Sequence, residues 1–67
     1  MRVIQSKMNP KYSVTVYPST QYGGGSGYYF HETGSGKAIS PLEIKKAGGR
    51  DALKELRPKA NELMHLD

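Results

Sequence analysis

The sequence predicts an α+β domain, in which a small antiparallel three-stranded β-sheet (β-β-β) is followed by two short C-terminal helices packed on one face. Three observations support this class. Residues 11–17 alternate apolar and polar side chains, an aromatic block at 27–33 lies between two glycine-rich stretches, and the tetrapeptide SPLE at 40–43 is typical of a helix start. Since 67 residues leave room for one hydrophobic core, we predict a single small domain spanning 1–67.

The N-terminal part of the chain is expected to supply the sheet. Residues 1–10 form either an arm or an edge strand, because a short apolar pair is followed by the turn signal Asn9-Pro10. A β-meander is predicted over 11–40. Its clearest strand is KYSVTVY at 11–17, which ends at Pro18 because proline cannot donate a hydrogen bond to a sheet.

The aromatic strand at 27–33 is the centre of the predicted sheet. A glycine-rich loop precedes it, a glycine-rich corner at 34–36 follows it, and a short third strand is expected at 37–39. Either Tyr28 and Phe30 face the core, or Tyr29 and His31 do. We favour the first pair, because Phe30 has no polar group.

The segment 41–66 is predicted to be a helical hairpin. Ser40 is the expected N-cap of a helix over 41–47, and Asp51 can cap the second helix. Pro58 lacks a backbone donor, so we expect a kink or a new helix start there. The apolar side of the second helix consists of Leu53, Leu56, Ala60 and Leu63.

The charge balance favours an acidic partner. Ten Lys and Arg against six Asp and Glu give +4, and the chain before Glu32 has three cations and no acid. A net positive charge attracts nucleic acid through long-range electrostatics, although the same charge also keeps a small protein soluble. The sequence has no cysteine, which excludes disulfides and thiolate metal sites. No apolar run is long enough for a signal peptide or a membrane span, so we expect a cytoplasmic protein without membrane contact.

Motifs for catalysis or cofactor binding are incomplete. The TGSGK sequence at 33–37 lacks the preceding glycine and the following hydroxyl of a phosphate-binding loop. His31 and Glu32 are neighbours in a strand and point to opposite faces, so they cannot converge on a metal or a substrate. We therefore expect no enzyme activity, no metal and no cofactor.

The open face of the predicted sheet is the candidate binding surface. Tyrosines there can stack on bases, and lysines can contact phosphates. We predict a nucleic-acid-binding accessory or regulatory protein, of a phage or plasmid kind, with DNA favoured over RNA. The predicted contact residues are Lys7, Lys11, Ser13, Thr15, Tyr17, Tyr29, His31 and Lys37.

Two alternatives to this surface remain. The aromatic strand or the amphipathic helix 51–66 could instead dock onto another protein or a second copy as a homodimer. A helix-turn-helix would present Arg50, Lys54 and Arg57 to DNA, but its first helix is short and Pro58 interrupts its second, so a hairpin that covers the sheet is favoured.

The element order over 11–66, with Gly27-Tyr28-Tyr29 and Gly36-Lys37, resembles small DNA-binding modules with a three-stranded sheet. The arm-binding domains of tyrosine recombinases, which dock a sheet in the major groove, are an example. The resemblance implies DNA binding by the sheet, but this chain lacks the arginine density of those modules. Likeness of fold does not by itself establish function.

Overall fold

The structure, a computed structural model, describes residues 2–17 and 27–64. The three described strands form one antiparallel sheet in the order β1-β2-β3, and two helices follow, so the predicted α+β class is confirmed. The predicted glycine-rich loop over 19–27, apart from Gly27, and the last residues of the predicted helical hairpin lie outside the described residues. The elements are β1 (Arg2–Gln5), β2 (Tyr12–Tyr17), β3 (Gly27–Glu32), α1 (Pro41–Lys46) and α2 (Arg50–Met64).

The third strand of the sheet comes from the N-terminus, so β2 lies at the centre and the prediction that the aromatic strand is central is wrong. β1 pairs with β2, with Ile4 opposite Val14, so the edge-strand alternative for residues 1–10 is the correct one. The predicted strand at 37–39 is reduced to a single bridge between Ala38 and His31. This pairing cannot extend, because the chain turns at a glycine with positive φ at position 36 before the bridge and enters the cap of α1 after it.

One face of the sheet packs against the helices. Phe30 is buried in the core, as the favoured assignment of the aromatic strand requires. Burial of these apolar side chains is the main source of stability in a domain of this size. The buried core consists of Tyr12, Val14, Val16, Phe30, Ile44, Ala52, Leu53, Leu56 and Ala60.

The start of α1 and the turn after it follow the sequence signals. The Ser40 hydroxyl accepts a hydrogen bond from the amide of Glu43 at 3.2 Å, as an N-cap does. Gly49, between the helices, is buried, and a Cβ there would lie 2.6 Å from the Tyr12 ring and 2.7 Å from Cγ2 of Ile44. The close contact explains the glycine and holds α2 against the sheet.

The second helix differs from its prediction at two positions. Asp51 lies within the first turn of α2 and does not cap it, since the Gly49 carbonyl accepts the first hydrogen bond of the helix, from Ala52, at 3.0 Å. α2 also continues through Pro58, so a new start there is wrong. The buried residues Leu56 and Ala60 on both sides of the proline keep the helix on the sheet.

Candidate functional site: a basic groove between the helices

The open sheet face carries an exposed aromatic cluster. Tyr17 and Tyr29 are 41% and 43% exposed, and Val3 is also exposed. The ring of Tyr29 lies 6.4 Å from that of Tyr17 and 5.6 Å from that of His31, between centroids. Tyr17 and Tyr29 are therefore accessible, as the sequence analysis expected.

The polar residues predicted for this face are buried. Ser13, Thr15 and His31 are 1%, 4% and 8% exposed. The Ser13 hydroxyl is hydrogen-bonded to that of Thr33, and the Thr15 hydroxyl to Nε2 of His31 at 2.8 Å. Because these groups bond to one another within the protein, they hold the strands together and leave little for a ligand to contact.

The predicted lysines are exposed but lie outside the centre of this face. Lys11 borders a depression that also contains the carboxylate of Glu32. Ala38 is opposite His31, so strand alternation turns Lys37 toward the helical side. Lys7 lies in the β1–β2 turn, which is bonded to α2. The open face of the described strands consequently has no Lys, Arg, Asp or Glu side chain.

Glu55 joins the β1–β2 turn to α2. Its carboxylate accepts hydrogen bonds from the Ser6 hydroxyl at 2.9 Å, from the Lys7 amide at 2.9 and 3.0 Å, and from the Met8 amide at 3.0 Å. It also pairs with Lys59 at 3.4 Å, and its side chain is 10% exposed. The amides of Lys7 and then Met8 are the main causes that lower the pKa of Glu55 from 4.5 to about 2.

Because Glu55 bonds to the β1–β2 turn, its carboxylate is directed away from a row of cations on α2. Arg50, Lys54 and Arg57 follow the spacing i, i+4, i+7 and lie within about 60° of arc, at about 100° per residue. Glu55 is one residue beyond Lys54, which turns it by about 100° toward the β1–β2 turn. Its charge is bound there, so it does not neutralise the cationic stripe.

The side chains of these three cations line a groove between α1 and α2. It is a depression of about 380 Å³ with Leu53 and Pro58 as its apolar part. Within residues 2–17 and 27–64, Lys59 and Glu55 form the one ion pair. The cations that line the groove therefore have no ion-pair partner among the described carboxylates. The charged residues that line the groove are Lys45, Arg50, Lys54 and Arg57.

A second depression adjoins the first at Arg57, which lines both. Its volume is about 510 Å³, and its wall is mainly aromatic and apolar. Tyr28, half-buried at the edge of the sheet, packs edge-to-face on Phe30 with 5.7 Å between ring centroids. We call the two depressions together the Arg57 groove; its second part is lined by Tyr28, Tyr29, Phe30, Ala38, Ile39, Ser40, Pro41 and Arg57.

Comparison with family models, curated proteins and solved structures finds no match for the chain. In the described ranges, no group of three His, Asp or Glu residues is placed to hold a metal ion. Neither described helix has the length and apolar character to cross a bilayer. The arrangement of side chains is therefore the only basis for a functional proposal.

Among the residues of this groove, the sequence analysis selected only Tyr29 as a contact residue. Arg50, Lys54 and Arg57 were considered only as part of a helix-turn-helix, and Lys45 was not considered. The i, i+4, i+7 spacing of three of the four α2 cations was the available signal. That Glu55 does not pair with these three depends on its bonds to a turn 48 residues earlier in the chain, which no local pattern reveals.

Proposed function

We propose that this protein binds nucleic acid, as an accessory or regulatory factor, through the Arg57 groove. The observation that supports this proposal is the convergence of four cations on one groove without a described carboxylate partner. Phosphodiester groups are the natural complement of such a surface, and arginine contacts them through two parallel hydrogen bonds. A cytoplasmic location, with access to nucleic acid, belongs to the same proposal.

The geometry of α2 suits a repeating anion. Arg50 and Arg57 are separated by about 10 Å along the helix axis, at a rise of about 1.5 Å per residue, and Lys54 lies between them. Long flexible side chains from such a row can contact successive phosphates, and Lys45 adds a fourth cation from α1. A single small anion would need only one or two of these groups.

Added salt is expected to weaken binding of a fluorescent oligonucleotide steeply. Each phosphate contact releases counterions, so three or four contacts to a single strand give a slope of about −2 to −3 in log affinity against log salt. Anisotropy titrations between about 50 and 200 mM salt measure this slope. Absence of binding at the lowest salt, or a slope near zero, would contradict the proposal.

Protein binding by the open sheet face is a second candidate. It is favoured by the exposure of Val3, Tyr17 and Tyr29 on a face whose described strands have no Lys, Arg, Asp or Glu. Aromatic side chains are enriched where proteins meet, and charged ones are depleted there. Contact between neutral faces resists added salt, which distinguishes this candidate from binding at the Arg57 groove.

A further inference from the structure

We propose that the Arg57 groove takes an unpaired strand of nucleic acid, with one base in its aromatic part and the adjoining phosphates on its cations. This inference rests on the proposed function and specifies its ligand. It derives from the junction of two chemically different depressions at one residue, Arg57. One depression is suited to a flat apolar ring, and the other to negative charge.

The aromatic part of the groove can hold a base. Its volume of about 510 Å³ falls within the range of about 300–1,000 Å³ typical of small-ligand sites. Tyr28, Ile39 and Pro41 are each half-buried, so they form the wall of a recess and not a flat surface. Stacking on such a wall needs a base whose face is free.

This requirement excludes paired bases. In a duplex both faces of each base are covered by neighbours in the stack, whereas bases of a single strand can turn out and stack on aromatic side chains. A duplex lying on α2 could reach the cations with its backbone, but its bases could not enter the recess at Tyr28. A nucleic acid that occupies both parts of the groove at once must therefore be an unpaired strand.

Arg57 has the chemistry that the junction needs. Its planar guanidinium can donate to a phosphate and can also lie over an aromatic or nucleobase ring. The aromatics of the open sheet face have no comparable partner, because the described strands place no Lys or Arg on that face. A base stacked on Tyr17 would leave its phosphates without cations beside them.

The first test compares three probes on the wild-type protein: a single-stranded oligonucleotide, a duplex of the same sequence, and inorganic polyphosphate. We expect the single strand to bind about tenfold more tightly than the duplex. Replacing Tyr28 by alanine should lower single-strand affinity about tenfold and leave polyphosphate affinity unchanged, because only the stacking contact is lost. Tyr28→Phe retains the ring and should bind like the wild type.

A second measurement does not depend on whether Tyr28→Ala folds. Ultraviolet crosslinking of a single strand containing 5-iodouracil, followed by mass spectrometry of peptides, should mark Tyr28. Crosslinks confined to Tyr17, which does not line the groove, would overturn the inference, and so would a duplex that binds as tightly as the single strand. If both nucleic acids bind equally and an Arg50→Glu, Arg57→Glu protein loses both, the proposed function holds and only the choice of an unpaired strand fails.

Discussion

Replacing Glu55 by glutamine is expected to lower the free energy of unfolding by about 1.5–3 kcal/mol, the usual range for hydrogen bonds to a charged group. The partners of Glu55 in the β1–β2 turn, from Ser6 to Met8, are all N–H or O–H donors. The amide of glutamine would direct its own NH₂ group at one of them. Since a core of this size rarely supplies more than about 3–5 kcal/mol, the loss is a large share of the total.

Urea denaturation followed by circular dichroism measures this effect. Glu62→Gln is the matched control, because it makes the same charge change at an exposed position of the same helix. We expect the control to stay within about 0.5 kcal/mol of the wild type, as surface substitutions usually do. Equal denaturation midpoints for the two variants would show that the Glu55 contacts do not stabilise the fold.

Acid is expected to lower the stability of the fold through protonation of Glu55. The pKa of Glu55 is lowered to about 2 in the folded protein from 4.5, so its ionised form is favoured by folding. Its stabilising contribution is complete above the unfolded-state pKa and is lost as pH falls from about 4.5 toward 2. The stability difference between wild type and Glu55→Gln should therefore be constant near neutral pH and shrink over that acid interval.

The double substitution Arg50→Glu, Arg57→Glu is expected to reduce affinity for an oligonucleotide by roughly 100-fold or more. It removes two groove cations and places two carboxylates beside Lys54, so attraction to phosphate becomes local repulsion. Both arginines are exposed, and the fold should be retained. Anisotropy titration at low salt, with circular dichroism as a check of folding, gives the result.

The control for this variant is Lys11→Glu, Lys37→Glu. It changes the net charge by the same amount, so the long-range field falls equally in both proteins. Lys11 and Lys37 were predicted from the sequence as phosphate contacts, and the pair of variants therefore compares two binding surfaces directly. A larger loss in the control than in the arginine variant would place the phosphate contacts outside the Arg57 groove.

Much of the fold could be predicted because it follows from local chemistry. Alternation in β2 predicted which of its side chains are buried in the core, and Ser40 and Pro41 predicted where α1 begins. The open or wrong predictions occur where distant parts of the chain decide. Pairing with β2 selects the edge-strand alternative for the N-terminus, and core burial on both sides of Pro58 keeps α2 continuous despite the missing backbone donor.

The candidate site was harder to predict because it depends on where charges lie in space. Counted along the chain, the basic excess precedes Glu32, and the helical half is nearly balanced. In the structure Glu55 is bonded to amides of the β1–β2 turn, and three of the four cations of α2 share one groove. Strand alternation likewise placed Ser13 and Thr15 on the open face, but it could not show that they are covered.

The most direct test of the account is an NMR titration of the ¹⁵N-labelled protein with a short single-stranded oligonucleotide. If nucleic acid binds at the Arg57 groove, amide shifts should change around Lys45, Arg50 and Arg57, with further changes near Tyr28. Changes confined to Val3, Thr15 and Tyr17, none of which lines the groove, would place the ligand on the open sheet face and contradict the account.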